Sequence, residues 1–423
     1  MFKKILVVLA TVSLLLLNLS DSNAQIPDAP DGEVAGISVN YTEAKVGELR
    51  LPDVLTTFDG KQVTDAAAWK AVRRPEILKY IESEYFGRIP DLAPKVTWEV
   101  VSTDPNALDG KAVEKKLAGH MGSPDGPAID VTLYTPVGVE EPVPVLAHLT
   151  FDFSRMRRPQ ATPQETPADA PPRPGSPAHL ISHGYGYARI NYSSIETDAS
   201  GQPNVNIARK LALASGQENP APDEWGSIAA WAWGISRLVD YFETDSAVDA
   251  KRVAITGTSR LGKTVTWAGA NDQRIALVIA CCGGEGGAAL ARRNYGETIA
   301  HLVAPARYPY QFAGNYQKYG PDPSASAVDT HCLVALMAPR PILLSTGKTD
   351  SWSDPHGEFL AAKAATPAFE LLGKKGVENA EYNEVGTMVG NELSYLMVDG
   401  GHGSSDWDLW LQFMDKYLKP NTP

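Results

Sequence analysis

The sequence predicts an α/β fold with a doubly wound, mostly parallel sheet in a three-layer αβα sandwich. Three observations carry that expectation. From Lys111 onward, short apolar runs alternate with amphipathic stretches of helical period. No repeat of solenoid type interrupts them. The chain has 423 residues, a length at which α/β enzymes often remain one domain.

The elements follow in chain order. Lys3 and Lys4 open the sequence, Ile5 to Leu19 is almost continuously apolar, and Ser22-Asn23-Ala24 supplies small residues at a cleavage point. Residues 1–24 therefore read as a secretory signal peptide rather than a membrane span. No cysteine stands directly after the apolar run, and no later stretch is long enough to cross a bilayer. A secreted or periplasmic protein is expected, free of the membrane after cleavage.

Residues 25–423 are expected to form a single catalytic domain, with 25–110 as an N-terminal extension packed on it. Within the extension, Ala66–Tyr85 is helix-like and Val96–Val101 strand-like. Strand-like runs then follow at 131–136, 143–151 and 187–192, and a helix around 226–243. Further strand-like runs lie at 252–257, 275–282, 340–347 and 394–401. Helices are expected from about 262, around 328–337 and over 406–418. Between Pro159 and Pro177 stand seven prolines with few large apolar residues, which excludes a helix or a central strand. Strand patterns continue on both sides, so 154–179 reads as a loop inserted at the carboxyl edge of the sheet. That edge is where such sheets bind ligands, and the loop is a candidate wall of the site.

Net charge is −12, which argues against a nucleic-acid partner. Nine tryptophans suit a carbohydrate-active enzyme, though weakly. The three cysteines, Cys281, Cys282 and Cys332, are too few for a disulfide framework and are expected as buried thiols. A monomer is expected.

The stretch "VAITGTSRLGKT" (253–264) carries the chemistry, and it reads two ways. Gly257 to Thr264 matches the phosphate-loop pattern G-x-x-x-x-G-K-[ST] at every position. That reading needs a magnesium-binding carboxylate after a neighbouring strand, and an early place in the domain. The alternative is a strand entering a sharp turn with Ser259 exposed at its tip, as a nucleophilic serine requires. The usual elbow is G-x-S-x-G, but here Leu261 holds the last position and glycine comes one later, at Gly262. Two residues downstream decide for the elbow. Hydrolases with such an elbow place serine, acid and histidine in that chain order, each after a later strand. Asp350 comes after the run at 340–347, and His402, between Gly401 and Gly403, after the run at 394–401. His331 opens a helical run and reads as a packing residue. His356 reads as a residue of a helix start.

Several blocks resemble the glucuronoyl esterases, carbohydrate esterase family 15, especially bacterial members. They are "EWGSIAAWAWGISRLVDYFETD" (224–245), "VAITGTSRLGKT", "GGAALARRNYGET" (286–298), "MAPRPILLSTGKTDSWSDPHGEF" (337–359) and "GGHGSSDW" (400–407). The resemblance covers most of 180–415. It implies an α/β-hydrolase fold. It also implies hydrolysis of esters between 4-O-methyl-glucuronic acid of xylan and lignin alcohols, without metal or organic cofactor. It makes Ser259 the nucleophile, His402 the base and Arg260 a stabiliser of the oxyanion. Lys263, Glu297 and Trp352 become sugar contacts. Without the resemblance, Lys263 reads equally as a solvated helix residue or a site residue, a solvated helix position is the lesser reading of Glu297, and Trp352, in a polar loop, reads more readily as a site residue than as core.

The sequence departs from the family twice. Many members carry the triad acid after the sixth strand, where this chain has Cys282. Other bacterial members use an aspartate after the seventh, and Asp350 matches it. Glu285 is the alternative acid. Thr258 stands where bacterial members often have histidine, and nothing in the sequence explains it. An acetyl xylan or other uronate esterase on the same fold is the second reading. A catalytically inactive carbohydrate-binding relative is the third.

Overall fold

A computed structural model describes residues 28–151, 171–377, 380–382 and 385–419. The signal-peptide reading, and residues 154–170 of the expected insertion, lie outside the described residues. The strands are β1 (Gly32–Val34), β2 (Ile37–Val39), β3 (Val96–Asn106), β4 (Ala112–Met121), β5 (Ala128–Pro136) and β6 (Val143–Thr150). They continue with β7 (Gly186–Asn191), β8 (Val248–Thr258), β9 (Leu277–Cys281), β10 (Ile342–Gly347), β11 (Met388–Gly390) and β12 (Leu393–Val398). β1 and β2 form a hairpin of their own. The others build one ten-stranded sheet in the order β11-β12-β10-β9-β8-β6-β7-β5-β4-β3. From β12 to β7 every neighbouring pair is parallel. β11 borders it antiparallel on one edge, and β5, β4 and β3 on the other.

Side-chain alternation along the strands creates two cores, one on each face. Val253 and Ile255 of β8 join Val145, Val278 and Leu344 under the helices Ser227–Phe242, Arg260–Asn271, Thr330–Ala335 and Pro355–Leu371. Ala254 joins Leu146, Ile279 and Leu396 under the closing helix Trp407–Leu418, which contributes Trp410, Phe413 and Met414. A strand covered on both faces needs no polar side, so the central strands read as continuous apolar runs. Each such Val, Leu, Ile or Phe withdrawn from water stabilises the sandwich by about 1.5–3 kcal/mol. This is the doubly wound αβα sandwich that the sequence predicts.

Four elements differ from expectation. The run at 66–85 is helical but not one α-helix: wide π-type turns occupy Trp69–Arg73 and Glu82–Phe86 around an α-helix at Arg74–Ile81. Pro75, near the start of that α-helix, cannot donate a backbone hydrogen bond. β4 and β11 lie in segments whose polar residues hide the strand pattern, and pairing with neighbours supplies what local sequence does not. The helix expected from 262 opens earlier, at Arg260.

Residues ahead of β3 pack on the sheet's helical layer. Phe86 stacks on Trp267 at 5.0 Å between centroids, and the buried Arg74 guanidinium donates to the Ala270 carbonyl at 2.6 Å. The described end of the proline-rich segment returns over Trp407; a Cβ on Gly175 would lie 2.3 Å from that ring. All three cysteines are free and buried. Among the described residues no helix is long and apolar enough to cross a membrane.

Candidate active site

The parallel register brings the chemistry together. Thr258 at the end of β8 pairs with Cys281 at the end of β9. Cys281 aligns with Ser345 on β10, and Gly347 with Val398 on β12. The residues just past these ends therefore meet at one edge: Ser259 after β8, Cys282 after β9, Asp350 after β10 and His402 after β12.

Ser259 sits at φ 63°, ψ −127°, a conformation that costs a non-glycine residue of order 1–3 kcal/mol. Its N–H donates to the Cys281 carbonyl at 2.9 Å, and its carbonyl accepts from the Lys263 N–H at 3.0 Å, so neighbouring elements hold the strain. The displaced elbow glycine has a steric reason. Leu261 is fully buried, whereas a Cβ on Gly262 would lie 2.7 Å from the Cys281 carbonyl oxygen. The position that crosses β9 closely is 262, and only glycine fits there. Gly257 is confined likewise, 2.6 Å from the Leu261 oxygen for a built Cβ.

His402 Nδ1 lies 2.7 Å from Asp350 Oδ2, and the Ser353 hydroxyl lies 3.3 Å from the same nitrogen. The His402 side chain is 45% exposed, so the ring faces the cleft while its carboxylate partner is buried. Burial pushes the Asp350 carboxyl up, but His402, Ser353 and the Cys282 thiol outweigh it and hold the group below the usual aspartate range. Cys282 touches this pair from beneath, and its sulfur accepts from the Gly403 N–H at 3.3 Å. The adjoining Cys281 sulfur, then burial, raise the Cys282 pKa, so it stands as a neutral thiol.

Glu285 lies elsewhere. It is buried and accepts from the Tyr316 hydroxyl at 3.2 Å. Burial, with the Asp329 charge behind it, raises its pKa well above the carboxylate range against Lys263 and Tyr316. Glu285 thus bonds to Tyr316, whereas it is Asp350 that bonds to His402.

Arg260 opens the helix Arg260–Asn271, where the first N–H groups have no intrahelical partner. Its guanidinium lies over the Tyr308 ring at 4.4 Å and grips both oxygens of Asp198, at 2.9 and 2.8 Å. Burial opposes that positive charge, but Asp198 and the surrounding tyrosines outweigh it and raise the pKa. Lys263 is buried, not on a solvated face. Its ammonium donates to the Gly283 carbonyl at 2.8 Å and lies 3.5 Å from Glu297. Glu297 also accepts from Arg307 at 2.7 Å, and the Arg307 guanidinium lies 5.0 Å from the Trp352 ring centre. Ser259, Arg260, Lys263, Glu297, Trp352 and His402 line one cleft of about 280 Å³. His331 and His356 are remote from it: the first bonds to the Pro52 carbonyl, and the second stacks on Tyr382.

The family described as "Glucuronyl esterase, fungi" matches residues 220–373. Carbohydrate esterase MZ0003, from an unknown prokaryotic organism, is 35% identical over 418 residues, covering 93% of this chain and 95% of the relative. The chain belongs to the glucuronoyl esterases. A solved glucuronoyl esterase from Solibacter usitatus is 38% identical, covers 89% of this chain and all of its own, and superposes with a TM-score of 0.79. A 4-O-methyl-glucuronoyl methylesterase of Phanerochaete carnosa is 32% identical over 77% of this chain and 72% of its own. This glucuronoyl esterase is thus a carboxylic ester hydrolase of α/β-hydrolase fold.

The phosphate-loop reading falls with that assignment. Two residues of the site were not legible in the sequence: Asp198, which stands behind Arg260, and Arg307, which lines the cleft. Asp198 carries no motif. Besides Arg260 it accepts from the hydroxyls of Tyr192, at 2.7 Å, and Tyr310, and from Gln311 at 3.2 Å. Arg307 lies in "RYPYQF" (307–312), and that arginine within an aromatic cluster was the available signal.

Proposed function

We propose that this glucuronoyl esterase cleaves esters of 4-O-methyl-glucuronic or glucuronic acid on xylan, with lignin alcohols as leaving groups. Ser259, His402 and Asp350 act as its triad. The observation that carries the reading is the shared cleft: an ion-paired Lys263–Glu297 wall with Trp352 stands beside a strained serine and a carboxylate-bonded histidine. Polar groups spaced along one wall fit the hydroxyls of a sugar ring, and an indole face fits its C–H edge.

The steps grow out of the geometry. Ser259 Oγ attacks the ester carbonyl while His402 takes its proton. The Asp350 carboxylate keeps the Nδ1 proton in place and stabilises the imidazolium that forms. The tetrahedral oxyanion meets the N–H groups at the start of the helix Arg260–Asn271, which have no intrahelical partner, and the Arg260 charge. His402 returns the proton to the departing alcohol, and water activated by the same ring releases the uronic acid. Nothing in this sequence of steps calls for a metal or organic cofactor. The basic start, apolar run and small residues of 1–24 support export, and the acyl and alcohol parts of the substrate are both cell-wall chemistry.

The test is a pair of substrates. Benzyl glucuronate should be hydrolysed with release of benzyl alcohol, and acetylated xylan should lose little acetate. Acetate release with benzyl glucuronate left intact would transfer the assignment to an acetyl esterase.

Asp198 gives a second expected result. Asp198→Asn keeps the shape but removes the charge that Arg260 grips, so the guanidinium loses its fixed place. kcat on benzyl glucuronate is expected to fall about ten- to hundredfold with KM changed little, because the arginine acts on the developing charge. Unchanged kcat would show that Arg260 needs no anchor.

A further inference from the structure

The segment that leaves the β1–β2 hairpin reaches the two loops that carry Glu297 and Trp352. Asn40 is buried, and its carbonyl accepts from the Gly296 N–H at 2.9 Å. Its side-chain amide donates to the Asn294 carbonyl at 2.6 Å and to the Thr42 carbonyl at 3.2 Å, while its Oδ1 accepts from the Thr42 N–H at 2.9 Å. One side chain thus locks its own turn and holds the residues just ahead of Glu297.

Gly296 is caught between two layers. It has φ +61°, and a Cβ there would lie 2.4 Å from the Ser351 carbonyl oxygen and 2.6 Å from that of Trp352. The next N–H, of Glu297, donates to the Trp352 carbonyl at 2.8 Å. Asn40, the 294–297 strand of chain and Ser351–Trp352 therefore stack in three layers. A shift of the first displaces both sugar-facing residues.

Two more ties run in parallel. The His301 ring meets Trp352 edge-on at 5.3 Å. Its Nδ1 accepts from the Thr298 N–H, which leaves Nε2–H to donate to the Ile37 carbonyl at 3.3 Å. Glu43 pairs with the buried Arg293, at 2.7 Å to Nη1, and with His356 at 3.2 Å. Arg293 Nε passes the tie to Asp354 at 2.7 Å, and Asp354 closes the loop that begins at Asp350. Burial opposes the Glu43 charge, yet His356 and Arg293 hold its pKa at about 2, so Glu43 stays a carboxylate above that pH.

We infer that Ile37–Glu43 is a strap that positions the sugar-binding wall, fixing Glu297 and Trp352 while leaving the Ser259–His402 chemistry to the sheet edge. This role rests on the uronate reading of the cleft. It makes Asn40 and Glu43 positioning residues for substrate recognition, although they belong to a part of the chain that precedes the catalytic sheet. Remote binding contacts of this kind act on KM when they serve ground state and transition state alike.

The experiment compares Asn40→Ala, Glu43→Ala and Glu43→Gln with the wild type on benzyl glucuronate and on p-nitrophenyl acetate, which has no sugar. The two alanine variants should raise KM for benzyl glucuronate about tenfold, with kcat within about threefold. Their rates on p-nitrophenyl acetate should match the wild type, which also certifies the fold and the triad. Glu43→Gln keeps one hydrogen bond and should lie between Glu43→Ala and wild type. Unchanged KM in the alanine variants overturns the strap. So does a parallel loss on both substrates, which would make the segment a support of the fold alone. If the wild type cleaves p-nitrophenyl acetate and not benzyl glucuronate, the uronate reading itself fails and takes the strap with it.

Discussion

Ser259→Ala is expected to lower kcat on benzyl glucuronate by roughly 10⁴–10⁶-fold, the scale on which removal of a triad nucleophile acts. KM should stay within a few-fold, since Lys263, Glu297 and Trp352 keep their places in the cleft. Residual hydrolysis above the water rate is expected, because the N–H groups at the helix start, which have no intrahelical partner, remain to receive an oxyanion. The substitution should leave stability nearly unchanged, as alanine inherits the same strained φ of 63°. Ser259→Gly provides the contrast. Glycine adopts that conformation at low cost, so the glycine variant should be as inactive as the alanine variant yet melt at a higher temperature. Hydrolysis that survives Ser259→Ala would remove the nucleophile assignment.

Asp350→Asn should cost about 10³–10⁴-fold in kcat, because the amide keeps the geometry but removes the charge opposite the imidazolium and can fix the wrong tautomer. Glu285→Gln should change kcat by less than about tenfold, since Glu285 bonds to Tyr316 and not to His402. The reverse ranking would move the acid to Glu285. A pH signature accompanies the first variant. Burial raises the Asp350 carboxyl, and His402 with its neighbours lowers it further than burial lifts it. The folded state therefore binds this proton less readily than the unfolded chain. Its stabilising contribution is complete above the ordinary aspartate value of about 3.9, and is lost as pH falls below that value. Asp350→Asn should thus flatten the loss of stability in that acid window, measured by urea midpoints from pH 5 downward.

The sheet's architecture was legible because its central strands are covered on both faces. Val253–Ile255 and Leu277–Ala280 needed no polar alternation, and apolar runs separated by helices announce that arrangement. β4 was not legible. Its residues include Glu114, Lys115 and Lys116, and it is a strand because β3 and β5 pair with it from both sides. The displaced elbow glycine weakened the sequence pattern, and only the 2.7 Å approach of position 262 to the Cys281 carbonyl explains it. The structure offers no account of Thr258, the departure from the family pattern noted in the sequence.

By itself the sequence determined that Ser259, Asp350 and His402 follow strands in that chain order, whereas the sugar-contact roles of Lys263, Glu297 and Trp352 came only from the family resemblance. Local pattern suffices for the first three, because the strand ends dictate where the next residues point. Only the tertiary structure decided which carboxylate meets His402. Asp350 and Glu285 both come after strands, and the difference is that one is bonded to an imidazole and the other is sealed against Tyr316. The same holds for Asp198 at Arg260 and for Asn40 behind Gly296. These partners lie 62 and 256 residues apart in sequence, from 260 − 198 and 296 − 40. A hydrogen bond between such partners leaves no periodicity or spacing for a sequence to display.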